Sequence, residues 1–525
     1  HPGRQNYSNV TGLQPVAPSP IPCPLIKEMP LELTVDEIRE LVEKYAAAAA
    51  RAREAGFDAV QVHGAHGYLV CQFLSPYSNK RTDEYGGNTA GRARFAIEII
   101  QRCKAVAGTD FPVMLRFSGD EHVPGGITVA EAREIAKLAI AAGSDAIDLS
   151  AGNYAMLEWT VQPQFWPRAC LAPMAAAIKP AVSVPLIIAG RINDAPIAER
   201  ILQEGQADMV SIGRGLIADP DLPRKALAGN NRLHRCIACN TCMDVTSRRR
   251  PMRCLINPEA GLEGQVEPAA EVKRKVLVLG GGPGGLEAAR VARLRGHEVT
   301  PWDEAAKPDG PWAYLVSGFV KDRLQRLRDI GVRVQLGHEV SVAAVAAAKP
   351  DVVLVSPRLV PRQAPFSSTG TVRVLAADDV LGDGAAGGQK VAVLGGDSLA
   401  FEVAEALLKR GAAVTLVEPG RLGGGIESIT RKIVLERLER DGLRVMLGTT
   451  PLRLAGDGLV LSQKDGTETT LAVDMVVLAQ GYDRDESLLA ALRAAGMDAR
   501  PLPGCEASRR AIDAIEQGAA VAREI

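Results

Sequence analysis

Helix-forming stretches alternate with short apolar runs over the first part of the chain. Thr34 and Glu37 have the spacing of a helix-capping box, and an Ala-rich helix follows that Gly56 brings to an end. The apolar run at 58–63 comes next, and the same order begins again at Thr128. Almost continuous apolar strands that alternate with helices are typical of a parallel sheet covered by helices. The pattern therefore predicts an α/β fold.

The regular order of helix, glycine and strand favours a closed (β/α)8 TIM barrel over an open sheet for residues 1–230. Further apolar strands of this barrel are expected at 112–117 and 185–189. The chain opens with His1-Pro-Gly-Arg4 and has no methionine there, which indicates that a preceding segment is missing. We therefore expect a TIM barrel with its first strands missing.

A different pattern begins after an acidic, proline-containing stretch at 259–273, which is typical of a linker. Apolar strands at 275–280 and 390–395 each run into a glycine-rich turn, and a related segment follows each of them. This repetition predicts two Rossmann-like dinucleotide-binding units, with the second inserted into the first. The expected domains are a partial barrel at 1–230, a cysteine segment and linker at 231–273, the first part of one dinucleotide unit at 274–385, the second unit at 386–482 and the return to the first at 483–525.

The composition excludes several classes of protein. The chain has 525 residues, is 46% hydrophobic and carries a formal net charge of −1, as expected for globular domains with an ample core. It has no basic run that would indicate nucleic acid binding, no apolar stretch of transmembrane length and no signal-peptide segment near its start. Its nine cysteines follow no disulfide-like pattern. We therefore expect a cytoplasmic protein that binds neither nucleic acid nor membrane.

Four cysteines form the motif that the two halves of the chain flank, namely Cys236, Cys239, Cys242 and Cys254. Thiolates at such spacings bind zinc or an iron–sulfur cluster. Three cysteines within seven residues, with a more distant fourth, favour a 4Fe–4S cluster over the paired knuckles of a zinc site. Structural zinc and a chance grouping of thiols are the alternatives.

The first glycine-rich turn has the full pattern of a dinucleotide site. Gly280, Gly282 and Gly285 follow an apolar strand and open a helix, so they permit a tight turn and the close approach of a pyrophosphate to the helix N-terminus. Asp303 ends the next strand, where an acidic residue would bind a ribose hydroxyl. A purely structural turn is the alternative.

The second glycine-rich turn departs from that pattern, because Asp397 stands at the middle glycine position and Ala400 at the last. A carboxylate at the middle position would face the pyrophosphate and repel it. Glu418 nevertheless occupies the position of a ribose-binding acid. Two interpretations stay open here, a nucleotide site and a retained fold without a nucleotide.

Three residues with acid–base side chains lie just after a predicted barrel strand, namely His63, His66 and Tyr68. Active sites of barrel enzymes lie at this end of the strands. Two imidazoles three residues apart can both reach one anionic or carbonyl oxygen, and the nearby phenol can donate a proton. The alternative is that the histidines are structural.

Arginines mark the ends of three other predicted strands. Arg116 ends the next strand of the barrel, where it can contact a bound cofactor. Gly190-Arg191 and Gly213-Arg214 end two later strands, a position where barrels commonly bind a phosphate. Solvent-exposed arginines without a ligand are the alternative.

Taken together, these residues resemble the Old Yellow Enzyme superfamily, in its iron–sulfur branch, over nearly the whole chain. This branch includes bacterial 2,4-dienoyl-CoA reductase, 2-enoate reductase and trimethylamine dehydrogenase. The most specific segments are His63-Gly-Ala-His66-Gly-Tyr68 and the residues at 72–76 and 79–87. The strand-end arginines and the four cysteines also match.

The resemblance implies that the barrel binds FMN, that the cluster lies beside it, and that the two dinucleotide units bind FAD and NAD(P)H. It implies an NADH:flavin oxidoreductase in which electrons pass from NAD(P)H to FMN and reduce the C=C bond of an enoate, an enone or a dienoyl-CoA. His63 and His66 would hold the substrate oxygen, and Tyr68 would protonate the α-carbon. The segments at 119–121 and 150–154 resemble the enoate reductases.

Several residues depart from the family pattern. His1-Pro-Gly-Arg4 resembles the segment after the third barrel strand, so about three strands and several FMN contacts are expected to be absent. Arg358 and Gly504 stand where the FAD unit of the family has other residues, and the turn at 308–311 lacks the flavin-contacting sequence. With Asp397, these residues lead us to expect an adenine nucleotide such as ADP alone rather than complete FAD.

Two other functions stay open. Trimethylamine dehydrogenase keeps this region with only ADP bound and passes electrons outward, so an amine dehydrogenase or N-demethylase is the first alternative. A non-catalytic flavoprotein-like scaffold or electron carrier is the second, although the intact histidine and tyrosine trio argues against it. The expected partners are a small-molecule substrate, an electron-transfer protein and further copies of the chain in a homo-oligomer.

Overall fold

The computed structural model describes residues 1–230, 232–265, 267–305, 313–364, 366, 372–381, 389–456, 458–502 and 510–525, with the backbone alone described for 313–317. Gly504 and the turn at 308–311, which bear on the FAD expectation, lie outside the described residues. The chain forms two compact units, His1–Ala238 and Cys239–Ile525.

The first unit alternates strands with helices. Its strands are β1 (Val16–Ala17), β2 (Leu31–Glu32), β3 (Val60–Gly64), β4 (Val113–Asp120), β5 (Ala146–Ala151), β6 (Leu186–Ile188) and β7 (Met209–Val210). Its helices are α1 (Ser8–Thr11), α2 (Val35–Glu54), α3 (Leu69–Leu74), α4 (Thr89–Ala107), α5 (Val129–Ala141), α6 (Leu157–Thr160), α7 (Ala172–Ile178), α8 (Ala195–Gln203), α9 (Arg214–Ala218) and α10 (Leu222–Leu227), with a 3-10 turn at Lys179–Ala181.

Two helices of this unit begin at the predicted capping boxes. The Glu37 amide donates to Thr34 Oγ1 (3.3 Å), and the Thr34 amide donates to Glu37 Oε2 (2.7 Å). Thr128 and Glu131 repeat the arrangement at the start of α5, at 3.4 and 3.2 Å. Each box satisfies amides that a helix start leaves without a partner. Gly56 follows α2 at a φ of +84°, a conformation that glycine adopts without strain.

Strands β3 to β7 form one parallel sheet in chain order, with helices between successive strands. All six residues of β5 are buried, and Leu115, Phe117, Ile147 and Leu149 belong to the core. Burial on both faces explains why these strands are almost continuously apolar in the sequence. The parallel arrangement brings the C-terminal ends of β3, β4 and β5 to one edge, which positions the side chains described below.

The second unit is built from two larger sheets and short antiparallel pairs. Its strands are β8 (Lys275–Leu279), β9 (Glu298–Asp303), β10 (Gln335–Leu336), β11 (Val352–Val355), β12 (Arg358–Pro361), β13 (Arg373–Ala376), β14 (Lys390–Leu394), β15 (Ala413–Glu418), β16 (Arg444–Leu447), β17 (Thr450–Ala455), β18 (Gly458–Ser462), β19 (Glu468–Ala472), β20 (Met475–Leu478), β21 (Tyr482–Asp485) and β22 (Ala499–Pro501). Its helices are α11 (Thr241–Ser247), α12 (Pro283–Leu294), α13 (Ala313–Asp329), α14 (Val342–Ala348), α15 (Ala377–Leu381), α16 (Ser398–Lys409), α17 (Ser428–Arg440), α18 (Ser487–Ala494) and α19 (Ala511–Arg523). None of the helices in the described part of the chain is long and apolar enough to cross a membrane.

Both larger sheets are parallel and five-stranded, with the orders β10-β9-β8-β11-β22 and β13-β20-β14-β15-β16. In each, the strand that leads into a glycine-rich turn is central, namely β8 and β14. Strand β22 pairs with β11 after the second sheet is complete, so the chain returns to the first sheet. Strands β17, β18 and β19 form a separate antiparallel sheet, and β12 pairs with β21.

Helix α12, which follows the first glycine-rich turn, is packed closely by α19. A Cβ built at Gly518 would lie 2.2 Å from the carbonyl oxygen of Gly284. Only glycine at position 518 therefore allows α19 to pack this closely against α12. The contact fixes the start of α12, where the sequence predicts a nucleotide.

Candidate active site

The turn after β3 gathers the three predicted catalytic residues. His63 lies in β3, His66 follows at a φ of +63°, and Tyr68 is the N-cap of α3. Left-handed backbone is uncommon outside glycine. The ring centroids of His63 and His66 are 5.1 Å apart, and those of His63 and Tyr68 are 5.3 Å apart. The structure thus brings together the three side chains that the sequence groups by spacing.

Hydroxyl groups of the neighbouring strands hold His66. Its Nε2 lies 2.7 Å from Ser150 Oγ in β5, and its backbone amide donates to Ser118 Oγ in β4 (3.1 Å). The Gln5 side-chain amide donates to the His66 carbonyl oxygen (3.0 Å). The ring and backbone of His66 are therefore held by β4, by β5 and by the segment that precedes α1.

Both imidazoles are neutral at physiological pH. Burial lowers the pKa of His63 to about 4, and the nearby Arg116 guanidinium adds to the effect. Burial lowers the pKa of His66 to about 3, with further contributions from His63 and Arg116. Each neutral ring has one N–H group to donate and one nitrogen to accept. Such donors can polarise a substrate oxygen without bringing a further charge into the site.

A second phenol stands beside Tyr68. The hydroxyl oxygens of Tyr68 and Tyr154 are 3.0 Å apart, and their ring centroids are 5.8 Å apart. Burial, together with the Tyr68 hydrogen bond, raises the pKa of Tyr154 well above its usual value. Tyr154 was singled out from the sequence only as part of the segment at 150–154 and had no predicted role, although its position just after β5 could have suggested one.

A buried carboxylate anchors the segment that carries Tyr154. Glu121 is 1% exposed and accepts hydrogen bonds from Ser75 Oγ, from the Ile127 amide (2.9 Å) and from Asn153 Nδ2 (3.0 Å). Asn153 immediately precedes Tyr154 in the chain. Glu121 therefore positions the second phenol through its neighbour, a role that the sequence did not predict.

Three aromatic side chains cluster beyond the same strand ends. The rings of His122 and Trp159 stack with centroids 3.7 Å apart, and Trp166 meets Trp159 edge-on at 5.5 Å. His122 follows β4, and both tryptophans lie in the segment after β5. Such a cluster offers an apolar contact surface for a ring or a conjugated chain.

Arg116 is paired within the sheet. Its Nη1 lies 2.5 Å from Asp148 Oδ2 in β5, which also accepts from Gln61 Nε2 (3.1 Å). Asp148 Oδ1 is buried without a hydrogen-bond partner among the described residues. Arg116 also lies close enough to His63 and His66 to act on their pKa values. It therefore links the histidines to the neighbouring strand.

The two later arginines have the environment of an anion site. Arg191 Nη1 donates to the Gln164 carbonyl oxygen (2.9 Å), and Arg214 Nη1 donates to that of Gln162 (2.8 Å). Burial lowers the pKa of Arg191, and the Arg214 charge adds to the effect. Arg191 Nε is buried without a hydrogen-bond partner among the described residues. Neighbouring guanidinium groups with an unsatisfied N–H fit a phosphate such as that of FMN.

Cys236 belongs to the first unit, and Cys239, Cys242 and Cys254 belong to the second. Cys242 is buried and the other three are partly buried. The Ala238 amide donates to Cys236 Sγ (3.4 Å), a contact that suits a sulfur ligand of a cluster. Within the described ranges no group of three or more His, Cys, Asp or Glu side chains is arranged around a metal position. The 4Fe–4S cluster therefore stays a prediction.

The first glycine-rich turn fits a nucleotide. Gly280 has a φ of +109°, and a Cβ built at Gly285 would lie 2.1 Å from the Gly280 carbonyl oxygen. The Gly281 amide donates to Asp303 at the end of β9. A cavity of about 470 Å³ adjoins the turn and is lined by Gly280, Asp303 and Arg358, among others. Arg358 therefore shares a cavity with the residues predicted to bind the nucleotide.

The second glycine-rich turn carries its two acids at the positions that the sequence indicates. Asp397 is the N-cap of α16, and Glu418 ends β15. Burial raises the pKa of Asp397 to about 6, and the nearby Glu418 adds to the effect. The Gly420 amide donates to Glu418 Oε1 (2.6 Å). Both carboxyl groups thus have partners within the chain itself.

Comparison with known proteins divides the chain in the same order. A model described as the NADH:flavin oxidoreductase / NADH oxidase family matches residues 9–232, and one described as pyridine nucleotide-disulphide oxidoreductase matches residues 356–502. An NADH oxidase from Thermoanaerobacter brockii is 37% identical over all of this chain and 84% of its own length.

Two solved structures are similar over the whole chain. A 2-naphthoyl-CoA reductase in complex with 2-naphthoyl-CoA has a TM-score of 0.90 at 27% identity, covering 100% of this chain and 84% of that one. Histamine dehydrogenase from Rhizobium sp. 4-9 has a TM-score of 0.88 at 25% identity, covering 100% and 82%. These similarities confirm the predicted fold class, a TIM-barrel flavoenzyme fold followed by dinucleotide-binding domains.

Proposed function

Because the chain belongs to the NADH:flavin oxidoreductase / NADH oxidase family, in the iron–sulfur branch of the Old Yellow Enzyme superfamily, we propose that it reduces the C=C bond of an activated alkene. It is an oxidoreductase, and its electrons come from NAD(P)H. The proposed substrates are small molecules in which a carbonyl or carboxylate group is conjugated with the alkene: enoates, enones or dienoyl-CoA esters. Reduction adds a hydride to the β-carbon and a proton to the α-carbon.

The two histidines hold the substrate oxygen in this proposal. His66 Nε2 lies against Ser150 Oγ, so Nδ1 is the nitrogen left for a substrate. His63 lies beside it, and both rings are neutral at pH 7 because of their low pKa values. As hydride adds to the β-carbon, negative charge develops on the carbonyl oxygen. Hydrogen bonds from fixed N–H groups stabilise that charge.

The observation that carries the proposal is the pair of phenols beside this clamp. Tyr68 is the proposed proton donor to the α-carbon, and Tyr154 lies within hydrogen-bond distance to return a proton to it. Alkene reduction consumes one proton at carbon in each turnover, so a paired donor suits it. Oxidation of an amine needs no such donor.

The cofactors are proposed on the residues that fit them. FMN when bound supplies the hydride, and the 4Fe–4S cluster when bound supplies single-electron transfer. The residues proposed to hold FMN are Arg116 within β4 and the residues that follow β6 and β7, namely Gly190, Arg191, Gly213 and Arg214. Those proposed for the cluster are the thiols Cys236, Cys239, Cys242 and Cys254. The first dinucleotide turn, with Gly280, Gly282, Gly285 and Asp303, is proposed to hold FAD or ADP alone. Glu418 has the position of a ribose-binding acid in the sequence of the second unit, where a retained fold without a nucleotide is the other interpretation.

We also propose domain boundaries, a cellular location and partners for the protein. Residues 1–230 are assigned to the FMN barrel, 231–273 to the cluster segment, 274–385 with 483–525 to the FAD or ADP unit, and 386–482 to the NAD(P)-type unit. We propose a cytoplasmic enzyme, because its cysteines follow no disulfide-like pattern. An electron-transfer protein and a homo-oligomer are the proposed partners.

A second candidate function rests on the similarity to histamine dehydrogenase. Under that proposal the enzyme oxidises an amine and passes the electrons to an external acceptor. Asp397, which departs from the glycine pattern of the second turn, is compatible with it. The paired phenols favour alkene reduction over this candidate.

Anaerobic mixing of the full-length enzyme distinguishes the two functions. Chemically reduced enzyme is mixed with cyclohexenone or with a dienoyl-CoA, and oxidised enzyme is mixed with trimethylamine or histamine. We expect an alkene to reoxidise the flavin and the amines to leave its absorbance unchanged. If the amines reduce the flavin rapidly and no alkene reoxidises it, the alkene reductase proposal fails.

A further inference from the structure

The two glycine-rich turns place their second glycine in the same way. A Cβ built at Gly281 would lie 2.6 Å from Asp303 Oδ2, and one built at Gly396 would lie 2.8 Å from Glu418 Oε2. In both turns the acid at the end of the next strand therefore packs against this glycine. The next residue in each turn is the N-cap of the following helix, so the two N-caps can be compared directly.

The N-cap of the first unit leaves its helix start open. Gly282 makes no side-chain cap to α12, and no described atom lies within 4 Å of a Cβ built on it. The first amides of a helix lack partners within the helix and carry a partial positive charge. A pyrophosphate can therefore approach α12 and accept hydrogen bonds from its first turn.

The N-cap of the second unit closes its helix start with its own side chain. Asp397 Oδ1 accepts from the Leu399 amide (3.0 Å) and from the Ala400 amide (3.3 Å). These are the amides that would face a pyrophosphate at the start of α16. The carboxylate thus takes the place of the anionic ligand. The sequence predicts only that Asp397 repels a pyrophosphate, whereas in the structure its side chain occupies the amides that the pyrophosphate would need.

A loop of the same unit covers this turn. The segment at 420–425 follows β15, and its Gly423 amide donates to the Gly396 carbonyl oxygen. Gly424 forms a parallel bridge with Asp397. The backbone of the loop therefore lies directly on the turn that a nucleotide would have to contact.

The surroundings of the closed turn are acidic. Glu402, on the second turn of α16, is 8% exposed, and its Oε1 is buried without a hydrogen-bond partner among the described residues. Burial raises the pKa of Glu402 to about 8, with contributions from Asp397 and Glu405. The nearby Glu418 also raises the pKa of Asp397. A diphosphate that displaced the loop would meet these carboxyl groups, and the Arg431 side chain packs against Gly423 of the loop itself.

We infer that the second dinucleotide unit is closed by its own chain, with Asp397 and the loop at 420–425 in the place of the ligand. The unit binds no NADH or NADPH at its glycine-rich turn. The first unit, with Gly282 at the equivalent position, holds the nucleotide of this region. NAD(P)H consequently reacts with the enzyme at a site outside the turn at 395–400.

Hydrogen–deuterium exchange of the full-length holoenzyme, with and without saturating NADH or NADPH, tests this directly. We expect unchanged deuterium uptake in the peptides that cover 391–425. Protection of these peptides in the wild-type protein overturns the inference, whether or not the enzyme reduces alkenes. The measurement reports local binding, so its outcome is independent of the proposed substrate.

Two variants distinguish whether Asp397 excludes the nucleotide by occupying the first amides of α16 or by its negative charge alone. Asp397→Gly removes the internal ligand and restores the glycine pattern, so NADH should protect the 391–425 peptides in this variant. Asp397→Asn removes the charge but keeps a side chain that caps a helix equally well, so these peptides should stay unprotected. Protection in Asp397→Asn would assign the exclusion to charge alone, and no protection in Asp397→Gly would show that Asp397 does not close the unit. Either result overturns the inference.

Discussion

The hydroxyl oxygens of Tyr68 and Tyr154 lie 3.0 Å apart, although 86 positions separate the two residues in the chain. Tyr68 follows β3 and Tyr154 follows β5, so the parallel sheet brings them to the same edge. A proton given up by one phenol can be replaced from the other without water entering between them. The pair therefore favours repeated proton delivery over a purely structural contact.

Replacing each phenol in turn should give graded losses of alkene reduction. Tyr68→Phe removes the donor itself, and we expect reoxidation of the reduced flavin by cyclohexenone to slow on the order of a hundredfold or more. Tyr154→Phe removes one hydrogen-bond partner of that donor, so a loss of about tenfold is expected. Stopped-flow absorbance measures both rates.

Reduction of the flavin by dithionite serves as the control and should be unchanged in both variants, because it needs no proton delivered to carbon. A larger loss in Tyr154→Phe than in Tyr68→Phe would reverse the two roles.

Because the two histidines are neutral in the folded protein, its stability should depend on pH below the pKa of a free histidine. The pKa of a free histidine is 6.5, whereas that of His66 in the folded protein is about 3. The unfolded chain therefore binds more protons as the pH falls below 6.5, and this contribution to the free energy of unfolding is lost progressively. His66 alone accounts for up to about 1.4 kcal/mol per pH unit.

Urea unfolding of the full-length protein at pH 7 and pH 5 measures this dependence. His66→Gln keeps an N–H donor but cannot titrate, so its loss of stability between the two values should be smaller. An equal loss of stability in the variant and the wild type would mean that His66 takes up no proton when the chain unfolds.

The cysteine motif should carry iron and acid-labile sulfide. Cys239→Ala leaves three thiolates, which cannot close a 4Fe–4S site, so the broad absorbance in the visible blue and the bound iron should both be lost. Cys103→Ala is the matched control, because Cys103 is buried in α4 within the hydrophobic core and lies outside the motif. Stoichiometric zinc in the wild-type protein, with no iron, would contradict the prediction.

The local features of this fold were predictable from sequence because they depend on neighbours along the chain. The capping pairs Thr34 with Glu37 and Thr128 with Glu131 are three residues apart, and both form as predicted. Parallel strands that are buried on both faces are largely apolar, which made β4 and β5 recognisable. The position of His63 near the end of β3 followed from such a strand, whereas Arg116 lies in the middle of β4 because that strand continues to Asp120, beyond the predicted end.

Contacts that depend on strand order were not predictable in the same way. Tyr154 reaches Tyr68 only because β3, β4 and β5 are adjacent, and Glu121 acts on Tyr154 through Asn153. Asp397 is an instructive case, since its charge was evident from the sequence but its bonds to the first amides of α16 were not. A side chain at a helix start either repels a ligand or replaces it, and the backbone geometry decides between the two.

The first dinucleotide unit should yield adenine nucleotide in excess of FAD. Gly280 and Asp303 keep the adenylate half of the site, whereas Arg358, which departs from the family pattern, lines the same cavity. Denaturing release from the full-length enzyme, followed by chromatography, separates FMN, FAD and ADP. Stoichiometric FAD beside FMN would contradict this expectation.

An aspartate at position 282 of the first unit, equivalent to Asp397 in the second, should abolish nucleotide binding by the first unit. Gly282 has a φ of −71°, which any residue can adopt, and open space surrounds the position of its Cβ. Gly282→Asp should therefore fold, and its carboxylate should accept from the first amides of α12, as Asp397 does in α16. Since an aspartate there competes with the pyrophosphate for the same amides, we expect the adenine nucleotide released on denaturation to fall at least about tenfold. Gly282→Ala is the matched control: it adds a Cβ without a ligand oxygen and should retain most of the nucleotide. Equal loss in both variants would assign the effect to bulk at position 282, and full retention in Gly282→Asp would mean that the nucleotide of this region does not bind at the start of α12.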